Sequence, residues 1–373
     1  MFRTEVDLVC HAGRMRAFEC PECGGPAPFE AQSCPTCQVP LAFHLPSMRL
    51  VAIPGDSVTI DGTRLLRCSN WAWECNWLVA DDSGSGQCFA GSFIRARPHA
   101  DDTLALEKLA QTAKSLRRLL IQLIDLDLPV EPYFRQGRGL AFDLLSSRTS
   151  GTPVIIGHAG GVITIDLAES LDAYRESLRV KLGEPYRTML GHFRHEIGHY
   201  YQSILVENGS MIDECRLLFG DERASYVDAM NRHYKFGAPP DWQQSYISEY
   251  ATMHPWEDFA ECFAHYLHIA DTLETAAESG LVVRADRARP NLPADVIPRS
   301  DYRGSTVEAV LADWQVLAGT FNRINHSMGK GDLYPFTISE PVVAKLEFVH
   351  RVVATAGARR SEPAVATQVS GQA

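Results

Sequence analysis

No run of this 373-residue chain approaches the roughly 20 apolar residues that a membrane-spanning helix requires. The first sixteen residues carry Arg3, Glu5, Asp7, Arg14 and Arg16 and lack the apolar stretch of a secretion signal. The chain therefore reads as neither membrane-embedded nor exported. Basic residues are in deficit as well: 35 Lys and Arg stand against 46 Asp and Glu, a formal net charge of −11. The first hundred residues, with 8 basic and 10 acidic side chains, are no basic patch either. Such a balance argues against a nucleic-acid partner held by bulk electrostatics. Tandem repeats of solenoid length are absent. What is present is an ordinary globular composition, 45% hydrophobic and 22% charged, and enough length for two to three domains of about 150 residues.

Eight of the ten cysteines (Cys10, Cys20, Cys23, Cys34, Cys37, Cys68, Cys75 and Cys88) fall in the first quarter. Cys20-Pro-Glu-Cys23 and Cys34-Pro-Thr-Cys37 form C-x2-C-x10-C-x2-C, two knuckles that can set four thiolates around one tetrahedral ion. A closed four-sulfur zinc site of this kind holds a fold together rather than catalysing; two redox pairs are the alternative reading. Tight thiol pairs without an export signal favour a reducing cytoplasm over a disulfide framework. Cys10, Cys215 and Cys262 receive no role.

Leucines and alanines at helical spacing from Asp102 to Leu128 mark a change of character, and a domain boundary, near residue 100. Residues 153–166 read as a hairpin around a Gly-rich turn. It is either an edge to which an extended peptide adds as a strand, or only core. Ser170 to about His268 reads as mainly helical, residues 285–304 as loop, and Ser339 to Val353 as a last helix. Small and polar residues from Ala354 to Ala373 predict a disordered tail.

The most informative segment is His195-Glu196-Ile197-Gly198-His199, an H-E-x-x-H pattern. On a helix, residues i and i+4 share a face, so His195 and His199 can present two imidazoles to one zinc ion. Glu196 is then placed as general base toward an attacking water. Two merely structural histidines are the alternative, and a third ligand downstream decides between them. A metzincin would need Gly at 202 and His at 205; Gln202 and Leu205 stand there. Glu257 and Glu261, also i and i+4, face the same way on a helix with Phe259, Phe263, Ala260 and Ala264 for its core side, where two carboxylates are costly to bury without cationic or metal partners. The economical assignment makes Glu257 the third ligand and Glu261 the acceptor of a hydrogen bond from a ligand histidine. Glu261 as ligand with His265 behind it is the main rearrangement. His192, His254, His265 and His268 read as helix histidines.

H-E-I-G-H followed by E-D-F-A-E on a later helix resembles the gluzincin metallopeptidases, including those of the lethal-factor type. The resemblance implies an oxyanion-stabilising tyrosine seven residues before the ligand Glu, which is Tyr250 here; Tyr246, Tyr200 and Tyr201 compete for that role. More closely, the chain is similar to a bacterial family of zinc-binding metallopeptidases with an N-terminal zinc ribbon. The shared segments are F-E-C-P-E-C, C-N-W-L at 75–78, G-E-P-Y-R-T-M-L-G-H-F-R-H-E-I-G-H-Y-Y at 183–201, H-P-W-E-D-F-A-E at 254–261 and L-Y-P-F at 333–336. It covers about Met15 to Val353. It also implies a fourth cysteine three residues after Cys88, where Gly91 stands. A second ribbon zinc is therefore doubtful: Cys68, Cys75 and Cys88 read as small buried hydrophobes around Trp71, Trp73 and Trp77, with His99 as the remaining candidate ligand.

The reading is an α+β chain. A zinc ribbon (1–45) and a second ribbon-like module (46–100) precede a mainly helical zincin-like metallopeptidase domain with a small β-hairpin or sheet (101–353) and a tail (354–373). The expected activity is zinc-dependent hydrolysis of peptide or protein substrates. The rival is a non-catalytic ribbon-bearing interaction or regulatory protein.

Overall fold

The computed structural model describes residues 18–133, 139–147, 154, 156–167 and 188–361. Cys10 and most of the 183–188 segment lie outside them, as do residues 153 and 155 of the expected hairpin. In the N-terminal third the strands are short and antiparallel: β1 (Phe18–Glu19) with β2 (Pro26–Ala27), β3 (Leu41–His44) with β4 (Arg49–Ala52), then a sheet of β5 (Ser57–Ile60), β6 (Thr63–Arg67) and β7 (Leu78–Ala80). Strands this brief cannot bury enough surface alone. Aromatic packing supplies the rest, with Phe29 edge-on to Phe43 at 5.0 Å and Phe43 5.1 Å from Trp77.

A four-stranded sheet follows, in the order β10 (Gly157–Ala159), β11 (Val162–Asp166), β9 (Ala141–Leu145), β8 (Ile94–Ala96). The hairpin is there, as the β10–β11 edge, and its turn needs Gly161: at φ +85, a Cβ would sit 2.1 Å from the Gly139 carbonyl oxygen. β11 and β8 both run parallel to β9. β8 comes from the segment assigned by sequence to the second ribbon-like module, so the two halves share one sheet. Arg95 on β8 grips Asp143 on β9 through a forked ion pair.

Seven helices are described. Helix α1 (Thr103–Asp125) starts at Asp102, whose side chain accepts from the Ala105 amide, and α2 (Met189–Tyr201) starts at Thr188, which accepts from Gly191 at 2.9 Å. α2 runs on into a π-helical turn, Gln202–Val206. Next come α3 (Ile212–Phe219), α4 (Tyr226–Phe236), α5 (Pro255–Glu278), α6 (Val307–Ser327) and α7 (Glu340–Ser361). Pro255 occupies the first turn of α5, where its missing N–H costs nothing. α7 continues past Val353 to Ser361, which corrects the expectation of a disordered chain from Ala354: Val353 and Ala356 are buried in the core, so small residues there extend the helix. Residues 362–373 of that tail lie outside the described residues. No helix among the described residues is long and apolar enough to cross a membrane.

The contact that positions the site is α2 on α5. Gly198 is where they touch: a Cβ there would fall 2.9 Å from the Ala260 Cα. Behind it, Arg194 donates to Gln122 of α1 at 3.0 Å and pairs with Asp271 of α5 at 2.6 Å, while Gln122 donates to the Leu267 carbonyl. Three helices are thereby pinned under one site.

Candidate metal centre

α2 and α5 bring His195, His199 and Glu257 together. The Glu257 Oε2 lies 2.9 Å from His195 Nε2 and 3.4 Å from His199 Nε2, and the two ring nitrogens are 3.2 Å apart. Three vertices of a tetrahedron around zinc at about 2.0–2.1 Å are separated by about 3.3 Å. Glu257 is 2% exposed, and among the described residues no donor meets its Oε2 in hydrogen-bond geometry; the atoms beside it are ring nitrogens. A buried carboxylate oxygen in that condition fits a cation and little else.

The surroundings agree with this. His195 Nδ1 is 2.7 Å from Glu261 Oε1, and since a carboxylate only accepts, Nδ1 carries a proton there, which leaves Nε2 as the nitrogen that faces Glu257 and His199. Glu261 is in turn held by Ser248 Oγ at 2.6 Å. Tyr226 donates to the other Glu257 oxygen at 2.9 Å. Burial opposes charge on His195, yet Glu257 and Glu261 raise its pKa well above the ordinary imidazole range. Burial likewise pushes the Glu257 carboxyl up, and the two imidazoles outweigh it, so the group titrates well below the usual value.

Glu196 points elsewhere. Its Oε1 lies 3.3 Å from His192 Nε2, and its buried Oε2 has no partner among the described residues. Burial raises the Glu196 pKa, but the His192 hydrogen bond and the charges of His195, His192 and His199 bring it below the ordinary carboxylate value. A cavity of about 470 Å³ is lined by His192, His195, Glu196, Trp242, Tyr250 and Phe336, among others. A second, of about 410 Å³, shares Ile156, His195, Glu196 and Tyr250 with it and runs along Gly157 and His158 of β10. Tyr250 sits with its ring 5.8 Å from that of His195.

The competing histidines are engaged elsewhere. His254 caps α5 and meets the Ala224 carbonyl at 3.0 Å; His265 lies 2.8 Å from the Tyr334 hydroxyl, and the carboxylate that clusters with His195 and His199 is that of Glu257. His268 stacks on Tyr334. Tyr226, Ser248 and His158 were not legible as site residues: each comes from a segment whose local pattern says only helix, turn or strand.

In the ribbon, Cys20 Sγ is 3.6 Å from Cys37 Sγ and Cys23 Sγ 3.7 Å from Cys34 Sγ. That is the edge, about 3.8 Å, of a tetrahedron of sulfurs around zinc, far beyond a disulfide. Amides of Cys37 and Thr36 point at Cys34 Sγ, which brings that thiol down to about 6. Cys68, Cys75 and Cys88 also converge, their sulfurs within 4.8 Å of one another. They are buried in the same core as Trp77, whereas Trp73 is 41% exposed and Trp71 packs on the Arg67 guanidinium. His99 is exposed, faces Asp101 and takes no part.

A ribbon with a four-cysteine cluster, followed by a helical domain with two histidines and a glutamate at one point, defines a class of zinc proteins. Within it, the chain belongs to the family described as "Putative zinc-binding metallo-peptidase", whose model matches residues 105–352; a zinc-ribbon domain matches residues 17–102. The chain is 43% identical, over 91% of its length and 95% of theirs, to uncharacterized proteins of Mycobacterium bovis and of two Mycobacterium tuberculosis strains. No solved structure matches it.

Proposed function

We propose that the protein is a cytoplasmic zinc endopeptidase acting on peptide or protein substrates, not on nucleic acid or membrane. The observation that carries this is Glu196, which lines a cleft beside a cluster of two imidazoles and a carboxylate and whose buried Oε2 has no hydrogen-bond partner among the described residues. Zinc held by His195, His199 and Glu257 would supply Lewis acidity, polarising a peptide carbonyl and acidifying water to a pKa of about 7. Glu196 accepts the proton of the attacking water and passes it to the leaving amine. Glu261 keeps the His195 ring in its ligand tautomer. The Tyr250 hydroxyl, which burial keeps protonated, donates to the developing oxyanion. An extended substrate adds alongside β10, the edge strand of the described sheet, and crosses the shared part of the two cavities. Zinc bound by Cys20, Cys23, Cys34 and Cys37 is structural.

The test compares wild type with Glu196→Gln on a proteome-derived peptide library, with metal content measured on both. The substitution keeps the shape of the side chain and removes its basicity. We expect unchanged zinc and a loss of about 10²- to 10⁴-fold in cleavage. Equal activity removes Glu196 from the mechanism. Absence of cleavage by both proteins favours the non-catalytic regulatory reading.

A further inference from the structure

Cys68, Cys75 and Cys88 lie in the ribbon half, among residues the proposed peptidase chemistry does not use. All three thiols are buried and free, and Cys75 and Cys88 stand 3.6 Å apart. That is too far for a disulfide and near the separation of two sulfurs on one zinc. Cys68 is built like the ribbon's Cys34. Its Sγ receives the amides of Asn70 and Cys88, each at 3.5 Å, as Cys34 receives those of Thr36 and Cys37. Amides aimed at a sulfur favour its thiolate, the form that binds metal.

The fourth corner is what sets this trio apart. No other His, Cys, Asp or Glu among the described residues joins it. Gly91 stands close by with no side chain to offer, and a cavity of about 200 Å³ is bounded by Cys75, Asn70, Gln87, Gly91 and Arg117. Arg117 is an independent signal. Its side chain is 3% exposed, it donates to the Glu74 carbonyl at 3.0 Å, and its Nε has no acceptor among the described residues. Its charge acts on the Glu30 carboxylate, but that group is already clamped by Arg118. A buried guanidinium without a dedicated counter-ion demands negative charge nearby. Zinc with three thiolates carries a net charge of −1, which one guanidinium balances.

We infer that Cys68, Cys75 and Cys88 form a second metal site in the ribbon half, a three-thiolate zinc site whose fourth position faces the Arg117 cavity and takes an exchangeable small ligand from solution, water or a thiolate. This site is distinct from the four-cysteine ribbon cluster, which is closed by its own side chains. It stands or falls independently of the peptidase reading.

The experiment uses the full chain with cobalt in place of zinc, reading thiolate-to-cobalt charge-transfer absorption. The spectrum of this site is wild type minus Cys88→Ser. We expect metal content to fall by one ion per chain in Cys88→Ser. Titrating 2-mercaptoethanol into wild type should raise the charge-transfer intensity of the site by about one third, three sulfurs becoming four. Gly91→Cys should show that intensity from the outset and no response to the thiol. A Cβ at position 91 meets the half-buried Gln87 Cβ at 3.3 Å, so the variant needs Gln87 to give by a few tenths of an ångström. Metal content in wild type equal to that of Cys88→Ser overturns the site. A wild-type spectrum that is insensitive to thiol and equal to that of Gly91→Cys overturns the open position, because a side chain must then complete the shell. Should Cys88→Ser misfold, the thiol response of wild type is compared with that of Gly91→Cys instead, since any thiol bound at the His195, His199 and Glu257 cluster is common to both proteins.

Discussion

Glu261 has both oxygens committed, one to His195 Nδ1 at 2.7 Å and one to Ser248 Oγ at 2.6 Å. In Glu261→Gln the amide oxygen can still accept from the imidazole, but its neutral charge no longer raises the ligand basicity of the ring. Loss of such a partner costs 10- to 100-fold in metal affinity in comparable sites. We therefore expect zinc affinity, measured by competition with a chelator at fixed pH, to weaken by about that factor while the fold persists. Unchanged affinity would mean that Glu261 is only a buried structural acid. At this scale the sequence was informative where chemistry follows helical spacing. His195 with His199, and Glu257 with Glu261, repeat at i and i+4, so each pair had to share a face. Tyr226 and Ser248 touch the same carboxylates from 31 and 13 residues away, through tertiary approach that no local spacing encodes.

The pairing of α2 with α5 converts those two spacings into one cluster, and Gly198 sets how near the helices come. Two opposing effects decide the outcome of Gly198→Ala. Alanine in a helix interior normally gains about 0.5–1 kcal/mol over glycine. Here the new methyl meets the Ala260 Cα at 2.9 Å and its carbonyl at 3.2 Å, backbone atoms that cannot swing aside. Overpacking of this kind costs about 1–3 kcal/mol, so the clash should win. We expect a lower denaturation midpoint and, because Glu257 is carried away from the imidazoles, weaker zinc binding. A stabilised variant with native metal affinity would show that the helices have slack. Periodicity located α1 and the start of α7, and ended the helical stretch near His268, ten residues short of the end of α5. It failed on α7's end, where alanines and valines look like tail but bury against the core, and on β8, three residues whose parallel partner lies about 48 positions on.

For the whole molecule, the ribbon is not an appendage. One hydrophobic core takes in Cys20, Phe43 and Trp77 from the first third, Leu116 of α1, Phe193 of α2, Phe263 of α5 and Phe348 of α7. β8 leaves the ribbon half to join the sheet that flanks the cleft. Ion pairs such as Arg118 with Glu30 and Lys114 with Glu74 cross the same junction, but exposed pairs contribute about 1 kcal/mol or less each, so the buried core carries the coupling. Zinc binding to small four-ligand modules is worth about 10–16 kcal/mol near neutral pH, comparable to the entire stability of an ordinary domain. Removing the Cys20–Cys37 ion should therefore unfold the ribbon, and the shared core should transmit the loss to the helices. In Cys34→Ser we expect calorimetry to show one transition, lowered as a whole. If only about 4 kcal/mol of the zinc term reaches the helical half, at about 2 °C per kcal/mol the midpoint falls by roughly 8 °C. An early ribbon-sized transition, followed by a second at the wild-type midpoint, would instead make the two halves independent and leave the peptidase cleft indifferent to the ribbon's metal.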